Sequence, residues 1–164
     1  MSDTIRKMPV VCLIIACFQL LFGRLRLTKN YLNKIIQMDN ENRFVVFRHI
    51  STYPLNQSDE DCVFIVSFKF EHLSHKANKL TSIIPMLMIA GFPGFLAKIF
   101  AVNPENGYWQ GMYQWKSPEH LEAYQKSFVF KMMNKRAIQE TIKSVEMIKQ
   151  NLIDLIENKK VNSL

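Results

Sequence analysis

The chain has 164 residues, 48% of them apolar and 21% charged, with five glycines, six prolines and three cysteines. Collagen-like, low-complexity and wholesale disordered classes are excluded, and Cys12, Cys17 and Cys62 make neither a disulfide framework nor a zinc-site spacing. The net charge of +7 is lopsided, because residues 1–36 hold six basic side chains against Asp3 and the remainder carries only +2, which argues against a nucleic-acid partner.

Met8 to Phe22 is uncharged, and Gln19 is its one strongly polar residue. It predicts an N-terminal hydrophobic helix. Fifteen helical residues reach ~22 Å, short of the ~30 Å of a bilayer core. Beyond it, Leu20, Leu21, Leu25, Leu27, Leu32, Ile35 and Ile36 recur near helical spacing among Arg24, Arg26, Lys29 and Lys34. This is the pattern of a basic amphipathic helix on an anionic membrane surface. Three readings compete. One is a membrane anchor, spanning (a transmembrane helix) or interfacial. Another is a secretory leader, in which Leu13-Ile14-Ile15-Ala16-Cys17 resembles a lipobox with Cys17 lipidated. The third is an ordinary buried helix. The anchor is the expectation carried forward, with the domain held on the cytoplasmic side by the positive cluster after the helix. The chain then divides into a 1–36 anchor-like segment, a 37–61 strand and loop lead-in, and a 62–164 domain.

Arg43 to His49 reads as a short strand, and the turn-rich run Ser51 to Asp61 reads as a loop. Val63 to Phe70 is the best strand, apolar on both faces. A helical stretch follows from Ser74, interrupted by Pro85 and stopped by Gly91-Phe92-Pro93-Gly94. Phe95 to Val102 and Tyr108 to Trp115 form a hairpin about Asn106-Gly107. Ser117-Pro118-Glu119 starts a helix, with a second piece over Phe128 to Arg136. Ile142 to Ile148 alternates as a fourth strand, and a short helix closes the chain. The order βαββαβ predicts an α+β ferredoxin-like plait, with a four-stranded antiparallel sheet and helices on one face. The uncovered apolar face predicts a homodimer packed sheet on sheet.

The residues Gly91-Phe92-Pro93-Gly94-Phe95-Leu96-Ala97-Lys98, then Asn103-Pro104-Glu105-Asn106-Gly107, then Trp109-Gln110-Gly111-Met112-Tyr113-Gln114-Trp115 resemble the dimeric α/β-barrel superfamily. Its antibiotic-biosynthesis-monooxygenase-like group is the nearest part. Ser117, Glu119, Ala123 and Tyr124 continue the pattern, and the resemblance covers about residues 62–150. It implies a dimeric barrel and, in the catalytic members, cofactor-independent oxygenation of quinol-like aromatics or haem degradation.

Trp109, Tyr113 and Trp115 share one strand face, either as an aromatic wall for a flat apolar ligand or as core. Gly111 leaves room on that face. Lys98 either faces an anionic substrate or pairs with Glu146. Asn134 and Arg136 either hold a substrate oxygen or complement a helix end. His72, with His75 three residues on, is either a base at the pocket mouth or a solvated loop histidine. The expected function is monooxygenase-like binding of a lipophilic aromatic molecule, with a non-catalytic binding module or a structural interaction protein as alternatives. No metal is expected. No cofactor is expected either, haem being the one left open.

Overall fold

The computed structural model describes residues 3–38, 42–71 and 75–163. The elements in chain order are α1 (Asp3–Arg6), α2 (Pro9–Leu21), β1 (Leu25–Leu27), β2 (Lys34–Gln37), β3 (Arg43–Thr52) and β4 (Cys62–Phe68). Next come α3 (His75–Thr81), α4 (Ile83–Ala90), β5 (Phe95–Val102), β6 (Trp109–Trp115), α5 (Pro118–Gln125) and α6 (Phe128–Asn134). Strand β7 (Lys143–Ile148), helix α7 (Leu152–Glu157) and strand β8 (Lys160–Ser163) complete the chain. Pro85 stands in the first turn of α4, where its missing N–H explains the break at Ser82 between α3 and α4.

Strands β4 to β7 lie in the order β7-β4-β6-β5, all antiparallel, which is the ferredoxin-like plait. The β5–β6 hairpin is set locally. Gly107 has φ 75°, and the Asn103 side-chain oxygen accepts from the Glu105 and Asn106 amides at 2.9 and 3.2 Å.

The sheet is wider than the four strands expected. It has eight: β3, β2 and β8 continue it beyond β5, and β1 pairs with β3. A register shift at Phe47 lets both Phe47 and Arg48 reach the face that Ile50 shares, while Phe44 and Val46 face the other way.

The helices are not confined to one face. Helices α2, α4, α5 and α6 cover one side, where Cys12, Ala16, Met86, Ile89, Leu121, Tyr124 and Val129 pack on Phe64, Phe100, Tyr113 and Trp115. Helix α7 covers part of the other, where Leu152 and Ile156 pack with Val63, Ile65, Ile99 and Met112. Burying each of those two side chains contributes ~1.5–3 kcal/mol. Gln114, fully buried, ties α7 down: its Nε2 donates to Asp61 Oδ2 at 2.6 Å and its Oε1 accepts from the Leu152 amide at 3.1 Å. The sheet face assigned to a second copy is thus partly covered by the chain itself.

The membrane expectation is overturned. No helix among the described residues is long and apolar enough to cross a membrane. Helix α2 has 13 residues and buries Cys12 and Ala16 against the domain. Cys17, the lipidation candidate, lies within this same docked helix. Docking needs Gly91, because a Cβ there would lie 1.8 Å from the Cys12 carbonyl oxygen. The expected basic amphipathic helix is instead β1 and β2. Gly23 (φ 68°) ends α2, and Asn33 (φ 62°) turns the chain into β2. The lipid-facing charge pattern dissolves accordingly, with the Arg26 guanidinium 3.3 Å over the Tyr53 ring. The membrane-associated, cytoplasmic-side placement built on that pattern falls with it.

Candidate functional site

On the helix-covered face the structure brings Trp109, Tyr113, Trp115 and Lys98 together, and fills the space between them. The two tryptophans and Tyr113 are 5%, 0% and 3% exposed. Trp115 stacks on Tyr124 at 4.7 Å and meets Phe92 and Phe95 edge-on at 6.0 and 5.8 Å. Trp109 meets Phe47 and Phe70 at 5.1 and 5.2 Å. The room expected beside Gly111 is taken by Tyr113, whose ring lies 2.7 Å from where a Cβ would stand. These aromatics form a packed core rather than the wall of an open cavity.

Lys98 is buried in that core, with its Nζ 4.0 Å from the Phe100 ring centre and 4.1 Å from that of Tyr113. Burial, and secondly the Arg48 guanidinium, hold its amine well below the usual lysine range. It does not pair with Glu146, which lies on β7, three strands away in the sheet order, and accepts from Gln125 Nε2. Arg136 reaches the α3 region, donating to Asn78 Oδ1 and Thr81 Oγ1 at 3.2 and 3.1 Å. Asn134 offers its carbonyl to Gln139 Nε2 at 2.7 Å. His72 lies outside the described residues. Among the described residues no group of three His, Cys, Asp or Glu side chains could hold a metal ion.

The opposite face holds a cavity of about 480 Å³, within the ~300–1,000 Å³ range of small-molecule pockets. Its apolar wall comes from Met38, Phe44, Ile65, Val145, Met147 and Leu155. Phe44 lies on β3 and Val145 on β7, four strands apart in the sheet order. Their meeting at one cavity means that the sheet curls, with this face concave. Alternation along β7 places Lys143, Val145 and Met147 on the concave side. Val145 is 57% exposed, so the cavity opens along β7.

The polar part of the lining is set by strand register. Ser67 and Gln110 are direct partners across β4 and β6, and Gln110 Nε2 donates to Ser67 Oγ at 3.1 Å. The Gln110 Oε1 is buried without a hydrogen-bond partner. Such an orphaned acceptor costs ~1–3 kcal/mol unless a ligand or water satisfies it. At one end Asn106 Nδ2 donates to Asn42 Oδ1 at 3.1 Å, and the Tyr108 ring carries the Lys69 ammonium at 4.9 Å. Lys143 and Lys159 complete the lining, and no carboxylate stands among the described lining residues. The site suits an apolar body with a hydroxyl at Gln110 and a partial negative charge toward the lysines. Reading the sequence for sites missed Ser67, Gln110, Tyr108 and Lys143. The available signal was the pair of glutamines on the non-aromatic face of β6.

No protein-family model matches the chain, and no curated protein sequence matches it. Solved structures do. A ferredoxin-fold protein from Listeria monocytogenes, related to antibiotic biosynthesis monooxygenases, is 8% identical with a TM-score of 0.54, over 83% of this chain and 88% of that one. A Fusobacterium nucleatum protein provisionally named a monooxygenase is 12% identical with a TM-score of 0.48, over 64% of this chain and 48% of that one. The chain therefore spans about half of the Fusobacterium protein. A Streptomyces coelicolor monooxygenase, solved with nanaomycin D, is 19% identical with a TM-score of 0.43, over 60% of this chain and 95% of that one. The likeness is one of fold: the chain has the ferredoxin-like fold of the Listeria protein.

Proposed function

We propose that the chain is a small-molecule-binding protein built on a monooxygenase-like fold, and that its ligand is a lipophilic, hydroxylated, quinol-like aromatic held in the concave-face cavity. One observation carries this reading. An apolar cavity of about 480 Å³ has in its lining Gln110, whose amide oxygen is buried without a hydrogen-bond partner. A turn of the Gln110 amide toward the cavity would let a ligand hydroxyl donate to its Oε1 and satisfy it. Met147 and Leu155 would pack against the ring system as adaptable apolar surface. Lys143 would favour a phenolate over a phenol.

A catalytic version of the same reading is cofactor-independent oxygenation. It is favoured by Lys143 in the cavity lining. A phenolate gives up electrons to oxygen more readily than a phenol, so the substrate itself would be the reductant. The test is native mass spectrometry of the full chain with a panel of naphthols and naphthoquinols, followed by oxygen uptake. Binding with oxygen consumption supports the enzyme. Binding without it supports the non-catalytic module. Failure of every member of the panel to bind overturns both.

A further inference from the structure

Helix α2 shows the domain one face and solvent another. Its inner face buries Cys12 and Ala16. Its outer face carries Val10, Ile14, Phe18 and Leu21, spaced so that they fall on one stripe. They are 62%, 50%, 56% and 77% exposed. Phe22, 71% exposed, extends the stripe and stacks on Phe18 at 6.4 Å. Helix α4, on which α2 packs, exposes Ile83 and Ile84 at 38% and 58%. Five such side chains present on the order of 600 Å² of apolar surface, at or above the largest patch of a typical monomer. That is about three quarters of the ~800 Å² that each partner contributes to a standard stable interface.

We propose that this stripe is a self-association surface, on which two copies of the chain cross at α2. Met8 to Phe22 has no charged residue, so the stripe presents nothing repulsive to itself and is suited to a two-fold contact. Cys17 is exposed near the middle of α2, and its small side chain permits close approach there. The basic residues lie beyond the two ends, at Arg6 and Lys7 and at Arg24 and Arg26. A crossed pair at the ~50° of ridges-into-grooves packing splays those ends apart. This contact is separate from the sheet face and leaves the concave cavity open.

The arrangement makes a signed prediction about salt. The contact is apolar, and Arg24 and Arg26 flank it with basic charge in both copies, so added salt should tighten it by screening their repulsion. A partner carrying acidic charge would be held more weakly as salt rises. The experiment is sedimentation velocity on the full chain at several concentrations, with 0.05 and 0.5 M salt as the two conditions (roughly 14 and 4 Å of screening length). A short bismaleimide provides a covalent readout at Cys17, since Cys12 and Cys62 are buried. The expected result is a dimer that salt strengthens and that cross-links through Cys17. The double variant Phe18→Glu, Leu21→Glu should weaken it by roughly a hundredfold, and its thermal midpoint should match the native chain's when both are compared at a concentration where they are monomers, because both side chains are more than half exposed. Cys17→Ser should abolish the cross-link and keep the dimer. A monomer at every concentration overturns the proposal, as does a dimer that survives the double variant. A monomer that sediments with anionic vesicles assigns the stripe to a lipid surface and also overturns it.

Discussion

The two faces of the sheet share the same strands and end differently. Toward α2, α4, α5 and α6, the strands present Phe64, Phe100, Trp109, Tyr113 and Trp115, and the helices add Tyr124 and Phe130. Rings of that size interlock and leave no room for a guest. Toward α7 the same strands present Val63, Ile65, Ala97, Ile99, Ala101 and Met112. One six-residue helix covers them only in part, and the unfilled remainder is the cavity. Side-chain volume and the amount of covering helix decide which face can bind, because interiors pack to near-crystalline density wherever enough side chain is available.

The largest expected effect separates the faces by stability. Trp115→Ala removes a fully buried indole from the ring stack and should cost ~3–5 kcal/mol. Val145→Ala, at the exposed cavity rim, should stay within ~0.5 kcal/mol. Urea unfolding of both variants checks this, and comparable losses would break the distinction between a filled and an open face.

The next effect reads the concave face through pH. His49 is buried there, its ring 5.6 Å from Tyr31 and its Nδ1 2.5 Å from Thr28 Oγ1. Burial pulls its pKa down to about 4 from the usual 6.5. Between those values the unfolded chain takes up a proton that the folded chain refuses. Stability from this group is complete above pH 6.5 and is lost as pH falls toward 4, by ~3 kcal/mol. Between pH 7 and 4 the thermal midpoint of the native chain should fall more steeply than that of His49→Gln, and equal slopes would contradict this.

The smallest effect concerns the packed face and has the opposite sign for a substitution. Burial holds the Lys98 amine well below the usual lysine range, so carrying its proton in the folded chain costs stability. Because the folded chain's lysine value lies below the unfolded ~10.4, wild-type stability should rise with pH through that window and level off above it. Lys98→Met removes an amine from an aromatic pocket and should stabilise the protein at pH 7 by ~1–2 kcal/mol, an advantage that fades near pH 10. Denaturant unfolding at pH 7 and pH 10 measures the difference. A destabilised Lys98→Met at pH 7 would mean that the amine makes a contact the packed face depends on.

The plait was legible because its signals are local. Alternation in β4 and β6, the Asn-Gly turn and the Ser-Pro-Glu helix start each act within a few residues. The N-terminal segment was not legible. Leu25 and Leu27 satisfy a helical stripe and a strand equally well, and β1 is settled by pairing with Thr52 and Ile50 far along the chain. Lys98 and Glu146 looked like a pair until the strand order separated them. The cavity was hidden for a related reason. Ser67 and Gln110 meet only once the β4–β6 register is known, and the curl that brings Val145 near Phe44 depends on strands that the sequence pattern did not count.

In the proposed function the ligand occupies the concave face, while the helix-covered face is filled by its own side chains. The most direct test is a fluorescence titration of a hydroxylated naphthalene against the native chain, Val145→Trp and Tyr113→Phe. Val145→Trp fills the cavity mouth and should weaken binding at least tenfold, or ~1.4 kcal/mol. Tyr113→Phe keeps the ring stack and should leave affinity unchanged. The reverse pattern, with binding lost in Tyr113→Phe and kept in Val145→Trp, would place the ligand among the aromatic core residues and contradict the claim.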